Sequence, residues 1–211
     1  MMINNDAYIF LNGTFTKNLE FYNSLNINKN NIFCADGGAK KAIELNIAPT
    51  EVWGDFDSLT SEEINWLKKK NVKLITFNVE KDFTDGELLI QYVSSLNFNK
   101  IYVIGGIGGR LDHELTNINL MFKYKNIIFK EEKEELFSIS KEFTLNNLKG
   151  CTVSFIPFSD YVTDLTLKGF KYPLNNHILY RGDSTCMSNI IIENTGEIFF
   201  SSGKLLCSLN Y

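Results

Sequence analysis

The chain has 211 residues, of which 44% are hydrophobic and 22% charged, a balance that excludes a disordered chain and fits one generous domain or two small ones. Its formal net charge is −4, with Lys and Arg outnumbered and scattered, which argues against a nucleic-acid partner because phosphate contacts demand a basic face. Cys34, Cys151, Cys186 and Cys207 form no CxxC pair and His113 and His177 have no zinc-like spacing, so reduced, mostly buried thiols are expected. The N-terminal apolar run 7–11 is too short for a signal peptide and no stretch is long enough to span a membrane; the expected location is the cytoplasm.

From the N-terminus, the runs 8–11, 32–35, 72–77, 101–104 and 127–129 read as strands buried on both faces, as in a parallel sheet covered by helices. Between them, 36–46 and 60–70 read as helices, the second capped by Thr60 or Ser61. Leu88, Leu89, Tyr92, Val93 and Leu96 share one helical face, as do Leu115, Ile118 and Phe122. This alternation implies βαβ units, so an α/β domain is expected over 1–130. The charge run 131–135 reads as a solvated turn between domains. Beyond it, short strands are expected at 136–145, 152–156, 162–167, 178–180, 187–192, 197–200 and 205–209, separated by turn signals such as Asn146-Asn147 and Ser202-Gly203. An all-β sandwich or barrel is expected over 136–211.

Ligands of open α/β sheets bind beyond the carboxyl ends of the strands, and four unusual clusters sit there. In Ala35-Asp36-Gly37-Gly38-Ala39 the glycines let the backbone approach a phosphate at the next helix; the alternative is a tight turn with Asp36 as N-cap. In Gly54-Asp55-Phe56-Asp57-Ser58, an extended segment would turn Asp55 and Asp57 toward one point, while a surface turn is the alternative; Phe56 argues for an inward anchor. In Lys81-Asp82-Phe83-Thr84-Asp85-Gly86-Glu87, Thr84 and Glu87 read as a capping box, which leaves Asp82 and Asp85 unexplained; in helical geometry those two would share a face. The run Gly105 to His113 matches neither the dinucleotide nor the P-loop pattern. Its Arg110 suits phosphate binding, and Asp112 is either an N-cap or a further acidic ligand.

Two carboxylates about 4 Å apart repel by roughly 4 kcal/mol at an effective dielectric near 20. Several gathered in one place call for a cation, and oxygen-only donors favour Mg²⁺ shared with substrate phosphates. If the loops converge, the site is one for metal-dependent phosphate transfer.

In this order, the motifs 35–39, 54–58, 81–85 and 108–113 resemble those of the thiamine pyrophosphokinase family, and Leu167 to Leu174 with Ser188-Asn189 resembles its C-terminal signature. The chain departs from some members at 190–192, where three isoleucines follow the Ser-Asn pair instead of an aromatic residue. The resemblance implies an ATP-binding α/β catalytic domain, a β-sandwich thiamine-binding domain, and a homodimer with active sites at the subunit interface. It implies diphosphate transfer from ATP to the thiamine hydroxyl, with Mg²⁺ as cofactor and AMP as second product. It makes Asp55, Asp57 and Asp85 the metal-site candidates and puts Arg110 on the phosphates; Asp36, Gly37 and Gly38 are counted with the ligand-binding residues. Asp82 and Asp112 would organise the site or contact thiamine, Asp85 or Asp112 would take the hydroxyl proton, and Ser188 and Asn189 would contact the aminopyrimidine. Two rivals remain from the residues alone: a phosphohydrolase with Asp55 as nucleophile, and a ligand sensor without turnover.

Overall fold

A computed structural model describes residues 5–25, 27, 31–76 and 82–211, and divides the chain into two compact units, 1–132 and 133–211. Phe77, read above as a strand end, and Lys81, the first residue of the third motif, lie outside the described residues.

In the first unit the order is β1 (Ala7–Phe10), α1 (Leu19–Ser24), β2 (Ile32–Ala35), α2 (Gly38–Glu44), β3 (Glu51–Gly54), α3 (Ser61–Lys69), β4 (Lys73–Thr76), α4 (Asp85–Ser94), β5 (Ile101–Ile104), α5 (Leu111–Leu120) and β6 (Ile127–Lys130). The strands pair in parallel in the order β6-β5-β1-β2-β3-β4. The chain therefore steps outward from β1 to β4, then returns to β5 on the other side of β1. That reversal opens a crevice at the carboxyl ends of β1 and β5, where side loops part in opposite directions. β1 and β2, flanked on both sides, are buried throughout; β4, at the edge, exposes Lys73 and Thr76, so only the inner strands show the continuous burial expected of the apolar runs.

Local chemistry sets the helix starts. Thr60 opens α3 with a complete capping box: its hydroxyl accepts from Glu63 N–H at 3.2 Å, and the Glu63 carboxylate accepts from Thr60 N–H at 2.7 Å. At α4 only half of the expected box forms. Thr84 accepts from Glu87 N–H, but the Glu87 carboxylate turns to the Lys123 ammonium at 2.6 Å, a charge-assisted bond that the local motif does not reveal. The expected apolar face of α5 is also corrected: Leu115 is 53% exposed, and only Leu120 is buried on that helix. No helix among the described residues is long and apolar enough to cross a membrane.

The second unit contains β7 (Glu134–Ile139), β8 (Glu142–Asn146), β9 (Thr152–Pro157), β10 (Tyr161–Lys168), β11 (Leu174–Tyr180), β12 (Asn189–Ile190), β13 (Thr195–Phe199) and β14 (Leu205–Asn210). They form two antiparallel layers, β12-β9-β14-β7 and β11-β10-β13-β8, with an apolar core that includes an edge-on Phe155–Phe170 pair at 5.6 Å. Inward alternation on β10 is reset at Asp164, whose φ of 56° makes a bulge that lets both Val162 and Leu165 face the core. The charge run is not a free turn: Glu134 and Glu135 belong to β7, and the Glu131 carboxylate accepts from Gly105 N–H at 3.0 Å.

Candidate functional site

The ends of β2 and β3 lie side by side, and the acidic loops that follow them meet. Carboxylate oxygens of Asp36, Asp55 and Asp57 all fall within 4.8 Å of one another. Asp36 has a φ of 42° and is held from both sides: its N–H donates to Trp53 C=O at 2.8 Å, and the Ser58 hydroxyl donates to its Oδ1 at 2.7 Å. Gly54 makes room for it, since a Cβ there would stand 3.2 Å from the Asp36 Cβ. The segment 55–57 is not extended. Phe56 adopts a φ of 63° and packs on the core, and the turn lets Asp57 N–H donate to Asp55 Oδ1 at 3.1 Å. The two carboxylates thus converge through a left-handed residue rather than through strand alternation.

Charge crowding leaves its mark on this trio. The Asp57 carboxyl is pushed above the usual carboxylate range, first by the Asp55 charge, then by burial and by Asp36. The donor set is three hard oxygens with surplus negative charge, and it fits a hard divalent cation such as Mg²⁺.

Beside the trio lies a cavity of about 400 Å³, within the usual range for small-ligand sites. It occupies the crevice between β1 and β5, walled by 11–13 after β1, by Ala35 at the end of β2 and Asp36 after it, and by 105–109 after β5. The glycine wall is braced by its neighbours: Gly13 N–H donates to Gly105 C=O at 2.7 Å, Gly108 N–H to Glu114 Oε2 at 3.2 Å, and the Asn117 amide to Gly106 C=O at 2.8 Å. Gly37 and Gly38 are not part of the lining. Gly37 caps α2 without a side-chain bond, and a Cβ at Gly38 would collide with the Phe10 carbonyl, so these glycines let α2 lie against β1 and Asn12.

Asp85 begins α4 and lines the cavity, but is not one of the three clustered carboxylates. Asp82 is exposed and precedes the helix, because Thr84 is extended at ψ 155°; the helical pairing expected of Asp82 and Asp85 therefore does not arise. Arg110 lines the cavity and itself occupies the N-cap position of α5. Its guanidinium grips Asp112 in a fork, Nη2 to Oδ2 at 2.6 Å and Nε to Oδ1 at 3.2 Å. Asp112 is thus neither an N-cap nor a member of the trio, and the guanidinium holds its carboxyl below the usual range.

In the second unit Ser188 is exposed with a φ of 53°, and its N–H donates to Ser154 Oγ at 2.9 Å. Asn189 is 2% exposed. Its amide clamps the backbone of Tyr172, accepting from the N–H at 3.0 Å and donating to the C=O at 2.8 Å. That geometry makes Asn189 a brace for the 170–173 turn.

Sequence reasoning overlooked Glu114, Asn117, Glu131 and Lys41, all packed around the glycine wall. A signal was present for the first two. Arg110, Glu114 and Asn117 follow helical spacing and mark one polar face of α5.

Family models match both units: "Thiamin pyrophosphokinase, catalytic domain" over residues 22–131 and "Thiamin pyrophosphokinase, vitamin B1 binding domain" over 136–205. A thiamine pyrophosphokinase of Bacillus subtilis is 34% identical over 177 residues, covering 81% of this chain and 83% of the relative. The rice thiamine pyrophosphokinase 1 is 24% identical over 193 residues, covering 78% and 73%. A crystal structure of thiamin pyrophosphokinase from Geobacillus thermodenitrificans superimposes with a TM-score of 0.85 at 30% identity, covering 98% of this chain and 97% of that one. With matched domains in sequence order and a relative of this similarity along most of its length, the chain belongs to the thiamin pyrophosphokinase family.

Proposed function

We propose that the chain transfers a diphosphate group from ATP to the hydroxyl of thiamine, releasing thiamine diphosphate and AMP, with Mg²⁺ as cofactor. The observation that carries this reading is the carboxylate trio at the rim of a glycine-walled crevice, in a member of this family. Asp36, Asp55 and Asp57 would hold the metal; Asp85, proposed for that set from the sequence, is assigned instead to the cavity side. When bound, Mg²⁺ supplies neutralisation of the charge on the transferring phosphates.

The chain's own residues account for the remainder. The braced glycine wall admits the phosphates close to backbone and fixes their position, which is most of what phosphoryl transfer requires. Arg110 stands at the mouth with guanidinium N–H groups beyond the two that Asp112 engages, and would hold phosphate oxygens there. The thiamine hydroxyl oxygen attacks the β-phosphorus, the bond from that phosphorus to the α-phosphate oxygen breaks, and AMP leaves. Of the two carboxylates considered for the hydroxyl proton, Asp85 lines the cavity, while the pairing with Arg110 makes Asp112 the weaker base. Asp82 and Ser188 are assigned to outer contacts, and Asn189 to support of the thiamine-side turn.

The proposal includes a homodimer and a cytoplasmic setting, the latter supported by four unpaired cysteines. The test is product analysis of purified protein with ATP, thiamine and Mg²⁺. Thiamine diphosphate and AMP in equal amounts, only with metal, are expected. Orthophosphate release that ignores thiamine would replace this reading with a hydrolase, and thiamine binding without turnover would replace it with a sensor.

A further inference from the structure

Lys41 is the buried cation that this crevice does not explain. It lies on α2 with 6% exposure, and its ammonium has no hydrogen-bond partner among the described residues. It rests 4.7 Å from the centroid of the Phe15 ring, a cation–π contact that offsets only part of the cost of leaving water. Burial lowers its pKa from the usual lysine value, while Glu131 and Glu44 oppose that shift.

Its position is specific. A Cβ on Gly105 would stand 3.2 Å from the Lys41 Nζ, and Gly105 has a φ of 67° that disfavours any side chain. The ammonium therefore lies directly behind the cavity wall, across one glycine from the space in front. Among the described residues that line the cavity, Arg110 is the one Lys or Arg, and Asp112 already engages it; Asp36, Asp85 and Glu114 line the same space. An anion entering the cavity meets a wall whose carboxylates outnumber its strong cations.

We infer that Lys41 is a positioning residue for the polyphosphate: the Glu131 carboxylate bonds the same Gly105 N–H, and the Lys41 ammonium offsets that negative charge so that the glycine wall accepts an anion. An anion seated on that glycine faces the ammonium across a single residue, a separation inside the Debye length of about 8 Å. The inference rests on the proposed function for the identity of the anion, but not for its charge.

The test uses the full-length protein and Lys41→Met, which keeps the stem and removes the charge. Calorimetric binding of inorganic triphosphate without metal should weaken by about tenfold, as should KM for ATP, with kcat and KM for thiamine within about threefold. A purely structural lysine would shift Tm and leave the triphosphate Kd of the folded variant within twofold of wild type, which overturns the inference. If Lys41→Met does not fold, the assigned ¹⁵Nζ resonance of Lys41 in wild type decides: a shift on adding triphosphate supports it, and no shift at saturation overturns it. Loss of triphosphate binding in Lys41→Met alongside a wild type that makes no thiamine diphosphate supports the inference while the functional reading fails.

Discussion

At Asp57 folding and chemistry pull in opposite directions. The neighbouring Asp55 charge raises its pKa, so the native state binds this proton more tightly than the unfolded chain. The sign follows: without a cation, the carboxylate opposes folding fully above its native pKa, and the opposition fades as pH falls from there to the unfolded value of about 3.9, below which it is gone. Asp57→Asn should therefore raise the Tm of metal-free protein at pH 7, with a difference that shrinks toward pH 4, while turnover drops by about two orders of magnitude or more. Calorimetric melts across pH, beside a turnover assay, check both. An unchanged Tm at pH 7 would deny that the three carboxylates repel. At the same scale, part of the site was legible and part was not. Asp55 and Asp57 stood out as a pair, yet the φ of 63° at Phe56 that joins them has no sequence signal, because a bulky residue is rare in that conformation. Lys41 read as an ordinary helical lysine, since nothing local announces that Gly105, 64 positions along the chain, comes to lie against it.

Among the elements, those with long apolar runs were readable and those completed by distant partners were not. β2 and β5 match their expected runs residue for residue. β3 was missed because Glu51-Val52-Trp53-Gly54 carries a carboxylate, but Glu51 is 7% exposed and satisfied by Trp53 Nε1 at 2.8 Å and Lys73 at 3.1 Å on the next strand. The strand expected over 187–192 contracts to the two residues of β12, since Ser188 takes a left-handed φ and interrupts pairing. Helix caps test whether local motifs suffice. Thr60 carries both arms of its box, so Thr60→Ala should cost about 1 kcal/mol in urea denaturation. Thr84→Ala leaves the Glu87–Lys123 pair in place and should cost no more than Thr60→Ala; a larger loss would mean that the cap at α4 also holds Asp85.

For the molecule as a whole, α/β followed by all-β was readable because the apolar period changes near residue 130. The strand order was not, and it is the order that locates the crevice: β1 must have β2 on one side and β5 on the other. The same interior controls the thiols. Burial raises the Cys34 and Cys207 thiols above their usual range and pushes Cys186 up to about 11, whereas Cys151 is only partly buried. Brief iodoacetamide treatment at pH 8 should therefore label Cys151 first, and the other three only with unfolding. Peptide mass spectrometry reads this out, and early labelling of Cys34 would reveal local opening of the central sheet.

Gly54 has one more role when considered as a spacer. It separates the backbone that carries Asp36 from the turn that carries Asp55 and Asp57, and only the missing side chain allows the present gap. On the proposed metal reading, the width of that gap is an ionic radius written in backbone. Gly54→Ala should push the loops apart and favour larger ions, so that Mn²⁺ or Ca²⁺ gains in affinity relative to Mg²⁺, measured by competition calorimetry. Ion choice would then reside less in the three carboxylates than in the residue between the loops that has no side chain to offer.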